Sequence, residues 1–205
     1  AQGDYATAER HLNQALVRAG GNPLHRAITL NNLGSVLQDQ GRFLEAGNAY
    51  REALGLFEKT VGPKHALVGP VLNNLGSLHR ALNQLSKAEL YLRRSLEIRR
   101  KEGQSFPKAE ALNNLAQVYY DQGNFGSAAP MLRESISLLE GRYGPEHPLP
   151  WQVRTNLALV LAELGQADRG VRMLAASVKS LQRILGPAHP ELIRPLLSLA
   201  NLRTR

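Results

Sequence analysis

Apolar residues recur along this chain with a helical period. Leu30, Leu33, Gly34 and Leu37 fall at i, i+3, i+4 and i+7, one stripe of a 3.6-residue helix. Gly41 follows, and glycine takes the left-handed backbone that closes a helix C-terminus. A second stripe, Phe43, Ala46, Tyr50, Ala53 and Leu54, predicts a second helix, which Gly62-Pro63 stops after Val61. No segment sustains a period of two, so no sheet is expected.

The pattern repeats. Asn31-Asn32-Leu33-Gly34 is echoed by Asn73-Asn74-Leu75-Gly76, Asn113-Asn114-Leu115-Ala116, Thr155-Asn156-Leu157-Ala158 and Leu197-Ser198-Leu199-Ala200, at spacings of 42, 40, 42 and 42 residues. Turn markers follow at Gly41, Asn83, Gly123 and Gly165, and Gly-Pro linkers begin at Gly62, Gly144 and Gly186. Each unit is therefore a helix, a short turn, a second helix and a longer linker. Small residues hold one position of the first helix (Gly34, Gly76, Ala116, Ala158, Ala200) and one of the second (Ala46, Ala88, Ala128, Gly170). They let two helices approach closely. One hairpin cannot bury its apolar face alone, so neighbours must stack. The predicted organisation is a single repeat domain over 1–205: a lone second helix (1–22), four repeats (23–62, 63–104, 105–144, 145–186) and a lone first helix (187–205). Gly3, Tyr5, Ala8, Leu12 and Ala15 match Gly41, Phe43, Ala46, Tyr50 and Ala53, so the chain is expected to open in a repeat's turn.

Leu30-x2-Leu33-Gly34-x2-Leu37 followed by Ala46, Tyr50 and Ala53 resembles the tetratricopeptide repeat. The 42-residue period, the Leu-Asn-Asn-Leu-Gly/Ala core and the Gly-x-x-His-Pro linker are similar to the kinesin light chain type of that repeat, over nearly the whole chain. The resemblance implies an all-α fold, a right-handed α-solenoid of antiparallel helix-turn-helix hairpins. It also implies a protein-interaction module that binds a peptide or partner segment in a concave groove. Two positions depart from the pattern. Arg154 stands where Leu30, Leu72, Leu112 and Leu196 stand, and His79 replaces the residue held elsewhere by Leu37, Tyr119 and Leu161.

Composition narrows the classes. Of 205 residues 43% are hydrophobic, enough for a sizeable core. There is no cysteine, which excludes disulfides and thiolate metal sites and suits a cytoplasmic setting. No apolar stretch approaches the roughly 20 residues of a membrane span, so no membrane partner is expected. The net charge of +8 favours an acidic partner. Nucleic acid is not expected, because aromatics are only 5% and none interleave with the arginines. Arg93, Arg94, Arg99, Arg100 and Lys101 are read as a solvated outer face.

No nucleotide-binding, hydrolase or metalloprotease motif occurs. His65, His147 and His189 recur at the linkers and are read as helix caps, so no catalytic residue, metal or cofactor is expected. Counting 100° per residue places one side of each first helix along the groove. The groove candidates are Asn31, Asn73, Ser77, Arg80, Asn113, Gln117, Tyr120, Thr155 and Arg194. Asparagine offers two donors and an acceptor, suited to capturing an extended backbone. The adjacent Asn32, Asn74, Asn114 and Asn156 are read as holding the repeats in register. Two alternative roles remain: a homo-oligomer formed through the terminal helices, or a regulatory segment of a larger enzyme or signalling protein.

Overall fold

The computed structural model describes residues 2–102 and 105–203. Among these residues the chain is all-helical, with no strand. It falls into two compact units, 1–102 and 103–205. The expected boundaries at 1, 104 and 205 lie outside the described residues.

The first unit contains α1 (Gln2–Arg18), α2 (Pro23–Asp39), α3 (Phe43–Val61), α4 (Val68–Ala81) and α5 (Leu85–Glu102). Asn22 starts α2 by accepting from the backbone N–H of Leu24 and His25 at 3.0 and 3.2 Å, with Pro23 at the first helical position. The short turns use the residues the pattern assigns to them: Gly41 has φ 77° and Asn83 φ 55°. Gly3 is a correction, since it lies inside α1 and not in a turn; glycine adopts helical backbone as readily as left-handed backbone.

Hairpin α2–α3 closes over Gly34. A Cβ there would lie 2.6 Å from the Tyr50 ring, so only glycine admits that ring. Tyr50 is buried, and burial pushes its phenol up to about 12. One core joins both hairpins of this unit, with Leu30, Leu33, Phe57, Leu72, Leu75 and Ile98 all buried. Each fully buried leucine contributes about 1.5–3 kcal/mol.

The second unit contains α6 (Ser105–Asp121), α7 (Phe125–Tyr143), α8 (Pro148–Glu163), α9 (Ala167–Leu185), a 3-10 turn (Pro190–Leu192) and α10 (Ile193–Arg203). His147 caps α8, its Nδ1 accepting from the Leu149 N–H at 3.2 Å. His65 makes the same bond to the Leu67 N–H at 3.2 Å ahead of α4. At the α8–α9 contact a Cβ on Gly170 would lie 2.6 Å from the Ala158 carbonyl oxygen, so backbone packs on backbone. Leu174, Val178, Leu199 and Leu202 form one buried cluster with Ala158. Trp151, Leu181 and Leu192 form another.

Candidate functional site

In the first unit the groove candidates sit on α2 and α4. Asn74 donates its Nδ2 to Asn31 Oδ1 at 3.0 Å, so a carboxamide read as groove-facing is the acceptor of one read as register-setting. Asn73 is buried, at 7% exposure, while Ser77 and Arg80 are half-buried along the same face. Asn32 is exposed. His79 fits its leucine position by stacking on Tyr91, ring centroids 5.3 Å apart, with Nδ1 2.7 Å from Gln84 Oε1. The carboxamide oxygen accepts, so Nδ1 carries the proton.

In the second unit the candidates join into a chain of hydrogen bonds across three first helices. Arg194 on α10 donates to Asn156 Oδ1 at 3.2 Å, and Asn156 Nδ2 on α8 donates to Asn113 Oδ1 at 2.8 Å. Asn113 Nδ2 in turn reaches Asn114 Oδ1 at 3.3 Å on α6. Gln117 and Tyr120 are half-buried on the next turn, with the Tyr120 hydroxyl 3.5 Å from Glu163 Oε1. Thr155 is almost wholly buried, and its hydroxyl donates back to the Trp151 carbonyl at 3.0 Å.

Beside Arg194 the surface opens into a cavity of about 300 Å³. Trp151, Gln152 and Thr155 of α8 form one wall, Ile193, Arg194 and Pro195 of α10 the other, and Leu181, Pro148 and Pro190 complete it. The wall is mostly apolar, with Arg194 and the Gln152 carboxamide as polar groups. Such a pocket takes an apolar side chain and orients it through a few polar contacts. Arg194 and Thr155, both chosen by angle counting, line this cavity. Trp151, Pro148, Pro190 and Pro195 were not placed there by angle counting. Their signal was present: the lone tryptophan, and a Gly-Pro-x-His-Pro linker that recurs at 144 and 186.

The arginine-rich helix α5 is largely paired. Arg93 meets Glu89 at 2.8 Å, Arg94 meets Glu58 at 2.5 Å and Lys101 meets Glu97 at 3.3 Å. The Arg99 guanidinium lies against the backbone of α4, where a Cβ on Gly69 would be 2.7 Å from its Nε. Among the described residues no group of three or more His, Asp or Glu side chains could hold a metal ion. No helix there is long and apolar enough to cross a membrane.

Two family models, both described as tetratricopeptide repeat, match residues 25–101 and residues 109–149 with 152–191. Among curated proteins the chain is 24% identical over 155 residues to Protein KINESIN LIGHT CHAIN-RELATED 2 of Arabidopsis thaliana, 73% of this chain and 23% of that protein. It is 25% identical over 123 residues to the mitochondrial Tetratricopeptide repeat protein 19 homolog of Drosophila melanogaster, 60% of this chain and 32% of that protein. The chain thus spans a third or less of these relatives. Among solved structures, BtubC (BKLC) from P. vanneervenii superposes with TM-score 0.80 at 22% identity, covering 98% of this chain and 82% of that one. A Rap protein solved in complex with Competence and Sporulation Factor superposes with TM-score 0.76 at 17% identity, covering 98% of this chain and 53% of that one. At these identities the structural likeness speaks for the fold alone.

Proposed function

The chain belongs to the tetratricopeptide-repeat family, a fold that generally serves as a protein–protein interaction scaffold, and on that premise we propose that it captures a short peptide segment along its first helices. The observation that carries this reading is the cavity between α8 and α10, where an apolar wall meets Arg194 at the end of the asparagine chain. In this reading the segment sets an apolar side chain between Trp151 and Ile193. Arg194 faces an acidic neighbour in the segment, in keeping with the net charge of +8. In this reading the chain acts as a scaffold and not as an enzyme.

The test uses fluorescent peptides carrying Leu or Phe flanked by Asp or Glu, with the same peptides carrying Lys as controls. Arg194→Ala should weaken the acidic peptides about tenfold, the loss of one charge-assisted hydrogen bond. The melting temperature should stay near wild type. Equal binding of the acidic and basic series, or no peptide binding at any ionic strength, would refute the reading.

A second reading is self-association. Ile193, Leu196 and Leu197 of α10 are 60%, 40% and 60% exposed, and Leu196 holds the position that Leu30, Leu72 and Leu112 bury. A second copy of the chain would cover that face through α1. Light scattering that reports a monomer at every concentration eliminates it.

A further inference from the structure

Two departures from the repeat meet in the hairpin of α8 and α9. In the preceding repeats Ala27, Gly69 and Ala109 hold one position of the first helix, and Leu30, Leu72 and Leu112 hold the position three residues later. Here those positions are Trp151 and Arg154. Trp151 is 3% exposed, and the Arg154 guanidinium carbon lies 5.1 Å from its ring centroid, a cation over an aromatic face. Arg154 Nη2 pairs with Glu140 at 2.5 Å, and the indole Nε1 donates to the Pro145 carbonyl at 3.1 Å.

The same hairpin holds a hydroxyl without a protein partner. Ser95 donates to the Gly69 carbonyl at 2.9 Å, and Ser135 donates to the Ala109 carbonyl at 2.7 Å, each across 26 residues. Ser177 stands at the same position opposite Trp151. The Trp151 carbonyl accepts from Thr155 instead. The Ser177 Oγ, in a residue 2% exposed, has no protein partner. A buried hydroxyl left unpaired is disfavoured, and buried polar groups almost always find a partner.

Ser177 lines a cavity of about 330 Å³ together with Pro145, Trp151, Arg154, Met173 and Ser180. This cavity and the one between α8 and α10 have only Trp151 in common. Its charges cancel: Arg154 is matched by Glu140, and Glu146 at the edge pairs with Arg183. A neutral polar group suits it better than an ion, since an ion would have to displace one of these partners. The stacked guanidinium and indole offer a flat face, and Met173 and Pro145 are apolar. A cavity of this size has room for a glutamine or asparagine side chain.

We propose that this cavity is a second recognition site, one that takes the side-chain carboxamide of a glutamine or asparagine from a partner protein. On binding, the Ser177 side chain turns its hydroxyl, closed to solvent in the free chain, toward the cavity; the carboxamide oxygen accepts its proton and the carboxamide plane lies against the Arg154–Trp151 stack. Peptide capture along the first helices is not required for this site to work.

The test reads the one tryptophan of the full chain, which gives a single indole N–H resonance in a ¹⁵N spectrum. The probes are blocked single residues, N-acetyl-glutamine, N-acetyl-glutamate and N-acetyl-alanine N′-methylamides. The glutamine probe should shift the Trp151 resonance saturably, and the other two should not. Ser177→Ala should weaken that probe about tenfold. It should melt no earlier than wild type, because it removes an unpaired hydroxyl, whereas Ser135→Ala should melt earlier. Arg194→Ala should leave the glutamine titration unchanged, which separates this site from the pocket beside α10. The proposal fails if the alanine probe titrates as well as the glutamine probe, since backbone then suffices. It fails likewise if only glutamate binds, if Ser177→Ala titrates like wild type, or if no probe saturates. Should Ser177→Ala then lose as much stability as Ser135→Ala, an internal water satisfies the hydroxyl.

Discussion

Asn156 donates to Asn113 at 2.8 Å, and Asn74 donates to Asn31 at 3.0 Å, so in each unit the second asparagine of one repeat ties its first helix to that of the preceding repeat. A side-chain hydrogen bond of this kind contributes about 0.5–1.5 kcal/mol. Asn74→Ala and Asn156→Ala should each destabilise by about that amount. Asn32→Ala, at an exposed position, should stay within about 0.5 kcal/mol of wild type. Urea melts of the three variants check the contrast.

Gly170 and Gly55 make a matched pair for helix packing. Gly170→Ala drives a methyl to within 2.6 Å of the Ala158 carbonyl oxygen, so α8 and α9 must separate, and a loss of roughly 1–3 kcal/mol is expected. Gly55 lies exposed inside α3 with nothing within 4 Å of its missing Cβ. Gly55→Ala should therefore stabilise by about 0.5–1 kcal/mol. Thermal melts in which both variants move the same way would contradict this packing.

Leu75 and Leu115 are each 1% exposed and hold the same position in successive repeats. Truncation of either to Ala should cost about 2–5 kcal/mol, the range for a central leucine that leaves a cavity. Circular dichroism melts of the two single variants measure it.

Acid should loosen the contact between α1 and the α2–α3 turn. Arg42 Nη1 donates to Glu9 at 2.8 Å, and its Nε and Nη2 donate to Glu45 at 2.7 and 2.6 Å. These bonds hold both carboxyls below their ordinary value of 4.5. A lowered folded-state pKa means stability that is present above about pH 4.5 and is lost as pH falls through the folded values. Glu45 is exposed and Glu9 and Arg42 are only half-buried, so the effect is small and fades with salt. Wild type and Arg42→Ala should differ in melting temperature at pH 7 and converge near pH 3. A constant difference across that range would contradict the linkage.

The turns and the apolar stripes were legible because both depend on residues a few positions apart. Gly41, Asn83, Gly123 and Gly165 all take left-handed backbone, as a helix C-terminus demands. The fate of Asn31 and Asn113 was not legible. Angle counting places them on the groove side of their helices, but whether a neighbour's carboxamide occupies their oxygens depends on how adjacent hairpins settle. Ser177 shows the same limit. Its hydroxyl has no protein partner, and only the packed hairpin tells which carbonyl a serine faces.

Within each unit, helices contact their neighbours in sequence, and the first helices also contact, more sparsely, the first helix one repeat on. Folding such a chain closes only short loops, so any hairpin can serve as a nucleus and order can spread outward from it. Loss of order can travel back the same way. In α1, Leu12 and Leu16 are only partly buried against the first core. The α1 amides should exchange with deuterium well before those of α4, which would make the native state a graded series of partly frayed forms rather than one all-or-none species.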